Sequence, residues 1–352
     1  MSKKRASGTG WDGSSEGKVT NSTYGKNTFS ERKNKRFNST MQKSVSIIIP
    51  TYNGQHLLQA FLPSVAQIVD KSQSVSDYEI IIVDDASTDS SIEYLQSLSI
   101  PKIRWMCNTQ NSGFSVTMNK GIQEATMDLT LMLNNDMLLA DDFFDRTIPS
   151  FADQELFGIY SEIRDREGKE LIEGRKIPFI KHGKLHYQNS PTNKVGNTLY
   201  LCGGNALVDT NKLKMLGGFN ELFSPFYFED FDLSLRAWRR GWKCLYTNET
   251  YCKHCHSTTI NAENKKEYIE KIFLRNQLLL NYLHSDAATL GKFSCKLFFK
   301  KILCTIVRSN SHNKFLTSLQ AFNAIKEKAQ QWREKEYLPL IPTKEIIRSI
   351  EW

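Results

Sequence analysis

The sequence predicts an α/β fold: a mostly parallel sheet with crossover helices, plus a helical C-terminal extension. Three observations predict it. Short apolar runs recur at 45–50 and 80–83, rich in Ile and Val, and at 129–133, rich in Leu, and each ends abruptly in polar residues, as buried parallel strands do. Stretches with apolar residues at helical spacing lie between those runs, and strand–helix alternation argues a parallel sheet with crossovers. From about 264 onward basic and apolar residues alternate, a mostly helical pattern.

The first strand is Val45–Pro50. After Gly54, the residues Leu57, Leu58, Phe61, Leu62, Val65, Ile68 and Val69 fall at helical spacing, with Pro63 inside the helix as a point of bending or shortening. The second strand, Glu79–Val83, runs into Asp84 and Asp85. Ser87-Thr88-Asp89 resembles a cap ahead of a helix carrying Ile92, Tyr94, Leu95 and Leu98. A third strand spans Ile103–Met106, a third helix Gly113–Glu124, and a fourth strand Asp128–Leu133. Beyond Pro149 the alternation weakens. The polar, mixed segment 160–198 suits short hairpins or loops, and an apolar pattern returns at 198–202. Phe231, Leu235 and Trp238 at i, i+4 and i+7 mark the buried stripe of a helix that ends at Gly241. The chain therefore divides into a disordered basic tail (1–41), an α/β domain (42–264) and a helical C-terminal region (265–352).

Charge is unevenly spread along the 352 residues. The formal charge is +8, yet residues 1–40 carry +6, residues 265–352 carry +8 and the centre carries −6. An acidic centre suits a cation site, and basic ends suit an anionic partner. The tail has few aromatics for stacking on bases, so no nucleic-acid partner is expected. Seven Cys without a disulfide framework fit reduced thiols in the cytoplasm. The N-terminal residues lack the apolar run of a secretory signal, and no stretch of about 18 uncharged apolar residues suggests a spanning helix. Lys292, Lys296 and Lys300 share one helical face, with Lys301, Arg308, Phe293, Leu297, Phe298 and Ile302 nearby. This C-terminal helix suits peripheral contact with the inner face of a membrane, or packing on the α/β domain or on a second copy in a homodimer.

Three strands end in polar clusters: Thr51-Tyr52-Asn53, Asp84-Asp85 and Asn134-Asn135-Asp136. Ligands of open parallel sheets sit at those carboxyl ends. Asp136 among oxygen donors suits Mg²⁺ or Mn²⁺ held against a diphosphate; capping of a following helix near Asp141 and Asp142 is the competing reading. Asp84 and Asp85 suit hydrogen bonds to a ribose or a base edge, or a purely local loop bond for Asp85. Glu229, Asp230 and Asp232 fall at a helix N-terminus, where the helix dipole favours the ionised form. Such an Asp beside aromatics suits a general base, and plain capping acids are the alternative. Cys252-Lys253-His254-Cys255-His256 lacks the second cysteine pair of a structural zinc site. A single His sharing the metal with Asp136 is the simpler reading.

Seven motifs in order, Val-Ser-Ile-Ile-Ile-Pro-Thr-Tyr-Asn (45–53), Ile-Val-Asp-Asp-Ala-Ser-Thr-Asp (82–89), Asn-Ser-Gly-Phe (111–114), Leu-Asn-Asn-Asp (133–136), Gly-Gly-Asn (203–205), Phe-Glu-Asp-Phe-Asp-Leu (228–233) and His-x-x-Ser-x-Thr (254–259), resemble family 2 glycosyltransferases, most of all bacterial rhamnosyltransferase-like members. The resemblance covers about 45–280. It implies the GT-A fold and an inverting single displacement from a nucleotide-sugar donor to a glycan or lipid-linked acceptor, in cell-surface polysaccharide or glycoconjugate synthesis. It puts Pro50, Tyr52 and Asp85 on the nucleoside, with Asn53, Asp84, Asn111, Gly113 and Asn135 in the same donor-binding motifs. Asp136 and His254 would hold the divalent metal, Mg²⁺ or Mn²⁺, with His256 as the rival to His254. Asp230 would be the catalytic base, with Glu229 beside it. Gly203 and Gly204 would let the chain approach the donor sugar. The first position of the acidic motif is Asn134 rather than Asp, which leaves one carboxylate for the metal. A non-catalytic sugar-nucleotide-binding protein would keep this fold and lose base or metal residues.

Overall fold

The computed structural model describes residues 41–181, 184–255, 263–285, 287–306, 310–336 and 343–350. The tail, apart from Met41, and His256, Ser257 and Thr259 lie outside the described residues. The first half is strand–helix alternation. Strand β1 (Lys43–Thr51) leads to α1 (Gln55–Lys71), β2 (Val75–Asp84), α2 (Ser91–Ser97), β3 (Ile103–Cys107), α3 (Phe114–Glu124) and β4 (Leu129–Leu133). Pro63 lies within α1 without ending it. A short β5 (Met137–Leu139) and α4 (Phe143–Thr147) follow, then β6 (Leu156–Arg164), β7 (Leu171–Glu173), β8 (Lys176–Lys181), β9 (Lys184–Asn189), β10 (Gly196–Asn197) and β11 (Asn205–Asp209). Thereafter come α5 (Thr210–Met215), α6 (Glu229–Arg239), β12 (Lys243–His254) and four helices: α7 (Glu263–His284), α8 (Ala287–Ile306), α9 (Asn310–Glu336) and α10 (Thr343–Ile350).

The main sheet runs β10-β12-β6-β11-β4-β1-β2-β3. β1 is parallel to β2 and β4, β2 to β3, and β6 to β12, whereas β11 lies antiparallel between β4 and β6. Side chains alternate between faces along a strand, so one run of isoleucines feeds two cores. Ile47, Ile49, Ile80 and Ile82 pack with Leu58, Leu62 and Val65 of α1 on one face. Ile48, Ile81 and Val83 pack with Met118 and Ile122 of α3 on the other. Gly121 is required there, because a Cβ would come within 2.5 Å of Ile48.

The apolar segment 198–202 is not a strand; the pairing residues come later, in β11. Its Thr198 and Leu199 carbonyls accept from the Trp238 indole instead. The segment 160–198 does contain hairpins, with β7 paired to β6 and β8 to β9. Phe231, Leu235 and Trp238 are buried, as their spacing predicts. Helix α7 begins at Glu263, across the division drawn at 264/265, and packs along α9 through Tyr282 and Phe322, whose ring centroids are 5.7 Å apart.

Candidate active site

The polar strand ends converge on one cleft of about 470 Å³. Its walls are Pro50, Thr51 and Tyr52 after β1, Asp85 after β2, Asn111, Gly113, Phe114 and Thr117 at the start of α3, and Asn134, Asn135 and Asp136 after β4. Pro225, Phe226, Tyr268 and Ile269 close it from the C-terminal half. These four carry no motif in the local sequence, because their place is set by contacts across long stretches of chain. An unusual pairing of Phe226 with Tyr268, centroids 6.3 Å apart, is invisible to periodicity.

Asp85 is buried, and its carboxylate organises the floor of the cleft. It accepts from Asn108 Nδ2 at 2.8 Å, Ser112 N at 2.9 Å and Gly113 N at 2.8 Å. Gly113 has φ +84°, and a Cβ there would meet Pro225 at 2.8 Å, so only glycine allows this close approach. Asn53 and Asp84 stand behind the cleft rather than in it. Asn53, at φ 48°, receives Thr88 N at 2.7 Å on its side-chain oxygen. Asp84 receives Ser87 N at 2.8 Å. Asn53 therefore pins the two loops together, while Asp84 braces Ser87, whose Oγ accepts from Asn53 N at 2.8 Å. Asn135 donates to Thr51 Oγ1 at 2.9 Å.

Asp136 does not cap a helix: β5 follows it, and the cap position of α4 is Asp142. β5 pairs antiparallel with the end of β12, Met137 opposite His254. That register brings His254 Nε2 to 3.0 Å from Asp136 Oδ2. The carboxylate pushes the imidazole pKa up. Asp136 Oδ1 is buried and has no hydrogen-bond partner among the described residues. A buried carboxylate oxygen without a partner is costly, and beside an imidazole nitrogen it fits a divalent cation. Among the described residues no group of three His, Cys, Asp or Glu gathers for a metal, so an ion here would take its remaining oxygens from ligand and water. Cys252 is buried beside Ser161 rather than turned to a zinc site.

On the far side of Gly203 and Gly204 stands the pair Glu229-Asp230. A Cβ on Gly203 would touch Asp230 Cβ at 3.6 Å and the Phe114 ring at 3.7 Å, and one on Gly204 would reach Asn134 at 3.2 Å. The two glycines thus join the cleft to the carboxylates. Helix α6 opens with Glu229 after Tyr227 and Phe228, both in the left-handed region at φ 77° and 74°. Two bulky residues there are strained. Asn276 of α7 holds them: its buried amide donates to Phe223, Phe226 and Tyr227 carbonyls at 2.7, 2.9 and 2.9 Å. The helix dipole was expected to favour ionised Asp230, but burial outweighs it. Burial raises both carboxyls, Glu229 further than Asp230, and the charge of Asp230 adds to the rise at Glu229. Backbone N–H groups of Phe231 and Gly203 partly offset the rise at Asp230. Burial and mutual repulsion therefore disfavour two negative charges on this pair at once. Asp232 belongs elsewhere: fully buried, it pairs with Arg236 at 2.8 Å and His284 at 2.8 Å.

Comparison with known proteins bears on the fold and the family. Residues 46–217 match the model of glycosyl transferase family 2. The chain is similar to a chondroitin synthase of Escherichia coli, 24% identical over 270 residues; the match covers 75% of this chain and 36% of that relative. It thus spans about a third of that relative's length. It is also similar to an N-acetylglucosaminyl-diphospho-decaprenol L-rhamnosyltransferase of Mycobacterium tuberculosis, 23% identical, covering 65% of this chain and 84% of that one. In architecture it resembles a mannosyltransferase of Pyrobaculum calidifontis solved with GDP-Man and Mn²⁺, with TM-score 0.52 and 14% identity over 88% of this chain and 86% of that one. The fold is GT-A. With the motif order kept from β1 to β11 on that sheet, residues 46–217 form a domain of the glycosyl transferase family 2 pattern.

Proposed function

We propose that this glycosyltransferase is inverting, and that it moves one sugar from a nucleoside-diphosphate sugar to an acceptor hydroxyl in the synthesis of a cell-surface polysaccharide or glycoconjugate. The observation that carries the reading is the two-glycine bridge. It lies between Asp230 on one side and the cleft walls Phe114 and Asn134 on the other. The family match and the relatives' names support the substrate class.

Asp136 and His254 would hold a divalent ion; when bound, it neutralises charge on the departing diphosphate. The chain's own residues do the rest. Pro50, Tyr52 and Asp85 receive the nucleoside, with Tyr268 as a lid over it. Gly203 and Gly204 admit the sugar ring. Asp230 takes the proton of the acceptor hydroxyl while that oxygen bonds to the anomeric carbon. The bond to the diphosphate breaks, and the diphosphate leaves with its electron pair. Attack from the face opposite the nucleotide inverts the anomeric centre. Glu229 is buried beside the base, where the two carboxyls resist being charged together.

The partner surface proposed is an anionic membrane, met by α8. This helix carries Lys292, Lys296, Lys300 and Lys301 and no acidic residue, and it exposes Phe298 at 61%, Phe299 at 68%, and Ile302. Exposed aromatics among lysines match an anionic interface in both charge and polarity. Among the described residues no helix is long and apolar enough to cross a membrane.

A screen of UDP-, GDP- and TDP-sugars with Mn²⁺ by thermal shift identifies the donor. Asp230→Asn is then expected to keep the donor shift and lose transfer. Wild-type turnover in that variant would overturn the assignment.

A further inference from the structure

We propose that Tyr187, Glu173 and Lys176 form the seat of the acceptor, and that the acceptor is a saccharide ring rather than a phosphate. The proposal rests on Asp230 as the base.

Tyr187 lies on β9, opposite Pro178 of β8. Its ring stands edge-on to Tyr200, centroids 4.9 Å apart, and to Phe231, centroids 5.7 Å apart. Tyr200 and Phe231 are stacked at 5.1 Å. Phe231 directly follows the base in α6. The two inner rings are 8% and 3% exposed, whereas Tyr187 is 41% exposed. A bare ring is thus held rigidly by two covered ones, next to the reacting centre. None of the donor cleft's walls includes it.

Lys176 lies against the same cluster, its Nζ 5.6 Å from the Tyr187 ring and 5.9 Å from the Tyr200 ring. The ammonium is buried, ion-paired to Glu173 and bonded to Asn189 Oδ1 at 2.7 Å. Glu173 is the open end of this pair, with a third of its side chain exposed. Its negative charge reaches both Asp230 and Tyr200 and pushes each upward. Its partly exposed carboxylate is joined through Lys176 to the Tyr187 ring and is the charged group of the seat left to meet an acceptor.

The chemistry of the seat selects its ligand. A flat aromatic face carries partial negative charge and attracts the C–H face of a pyranose. A carboxylate fixed by a lysine accepts a sugar hydroxyl. A phosphate monoester would add negative charge beside Asp230, Glu229 and Glu173, while the ammonium of the seat is already tied to Glu173. It would also need no base, being ionised at neutral pH.

Saturation-transfer NMR on the full chain tests this, with the methyl pyranosides of glucose, galactose, N-acetylglucosamine, mannose and rhamnose as probes and farnesyl phosphate as the phosphate probe. Mg²⁺, which is diamagnetic, and a mixture of UDP, GDP and TDP are present throughout. At least one pyranoside is expected to respond. Tyr187→Ala should weaken that response about tenfold, Tyr187→Phe should retain it, and Glu173→Gln should weaken it. Silence from every pyranoside, indifference to Tyr187→Ala, or a farnesyl phosphate response in place of the sugar overturns the proposal. Thermal shift by the nucleotides separates the two readings. If nucleotides fail to bind, the glycosyl-transfer reading falls; if they bind and the sugars ignore Tyr187, this inference alone falls.

Discussion

The amide of Asn276 donates to the carbonyl of Tyr227 at 2.9 Å, and Tyr227 is held at φ 77°. A side chain of the C-terminal helix therefore clamps the strained step that launches Glu229 and Asp230. Asn276→Ala takes the side-chain donor from the Phe226 and Tyr227 carbonyls, while Phe223 keeps Arg275. It is expected to cost about 1–3 kcal/mol of stability and to lower kcat more than it raises the donor KM. Urea titration and steady-state kinetics check both; unchanged kcat in a folded variant contradicts the clamp.

Removing Asp136 tests the cation site. In Asp136→Ala the buried oxygen without a partner disappears, so the apo protein should fold normally. The extra nucleotide-dependent thermal shift seen with Mn²⁺ is expected to vanish. EDTA should have the same effect on the unaltered chain. A Mn²⁺-dependent shift that survives in Asp136→Ala would place the ion elsewhere.

The carboxyl pair fixes a pH signature. Asp230 must be ionised to accept a proton, and its pKa is raised by burial. Activity should thus fall on the acid side at a pH above the ordinary carboxylate range, measured as log kcat/KM. Stability has the opposite slope. A raised native pKa means the folded state holds a proton that the unfolded state releases, so stability is full at low pH and declines as pH rises through the native value. Glu229→Gln should flatten that decline in denaturant titrations between acid and mildly alkaline pH.

The buried Asp232–Arg236–His284 group tests packing rather than chemistry. Arg236→Met leaves Asp232 charged and fully covered, so a loss of about 3–5 kcal/mol is expected. His284 is held down to about 4, chiefly by burial. Acid conditions should therefore destabilise the protein as pH falls from the ordinary histidine range toward that value, because only the unfolded chain then takes the proton. A His284→Gln variant with the same acid slope would contradict this.

Membrane contact has a direct readout. The full chain should sediment with vesicles rich in phosphatidylglycerol and not with pure phosphatidylcholine. Phe298→Ser with Phe299→Ser should abolish sedimentation. Concentration-dependent dimerisation abolished by the same substitutions, without vesicle binding, would assign the face to a second copy instead.

Much of this was legible in the sequence because it is local. Ile47–Ile49 and Ile80–Val83 are runs whose burial on both faces follows from composition alone, and Phe231, Leu235 and Trp238 declare one helical stripe. The polar strand ends predicted the cleft because a parallel sheet aligns its carboxyl ends. Three things were hidden. The roles of Asn53 and Asp84 as loop ties depend on Thr88 and Ser87 folding back onto them. Burial of Glu229 and Asp230 depends on Gly203 and Phe114, far upstream. Tyr268 and Asn276 reach the site only because α7 packs there, and no spacing rule connects residue 276 with residue 227.

The clamp by α7 bears on how this enzyme can be taken apart. The family match ends at 217, the proposed base lies at 230, and the side chain that fixes the loop before it lies at 276. The C-terminal helices are consequently not an interchangeable appendage. Grafting them from a relative, or deleting them to shrink the enzyme, disturbs the reacting centre itself. A transplant that hopes to change acceptor or location must carry the Phe223–Phe228 loop and α7 together as one inherited piece.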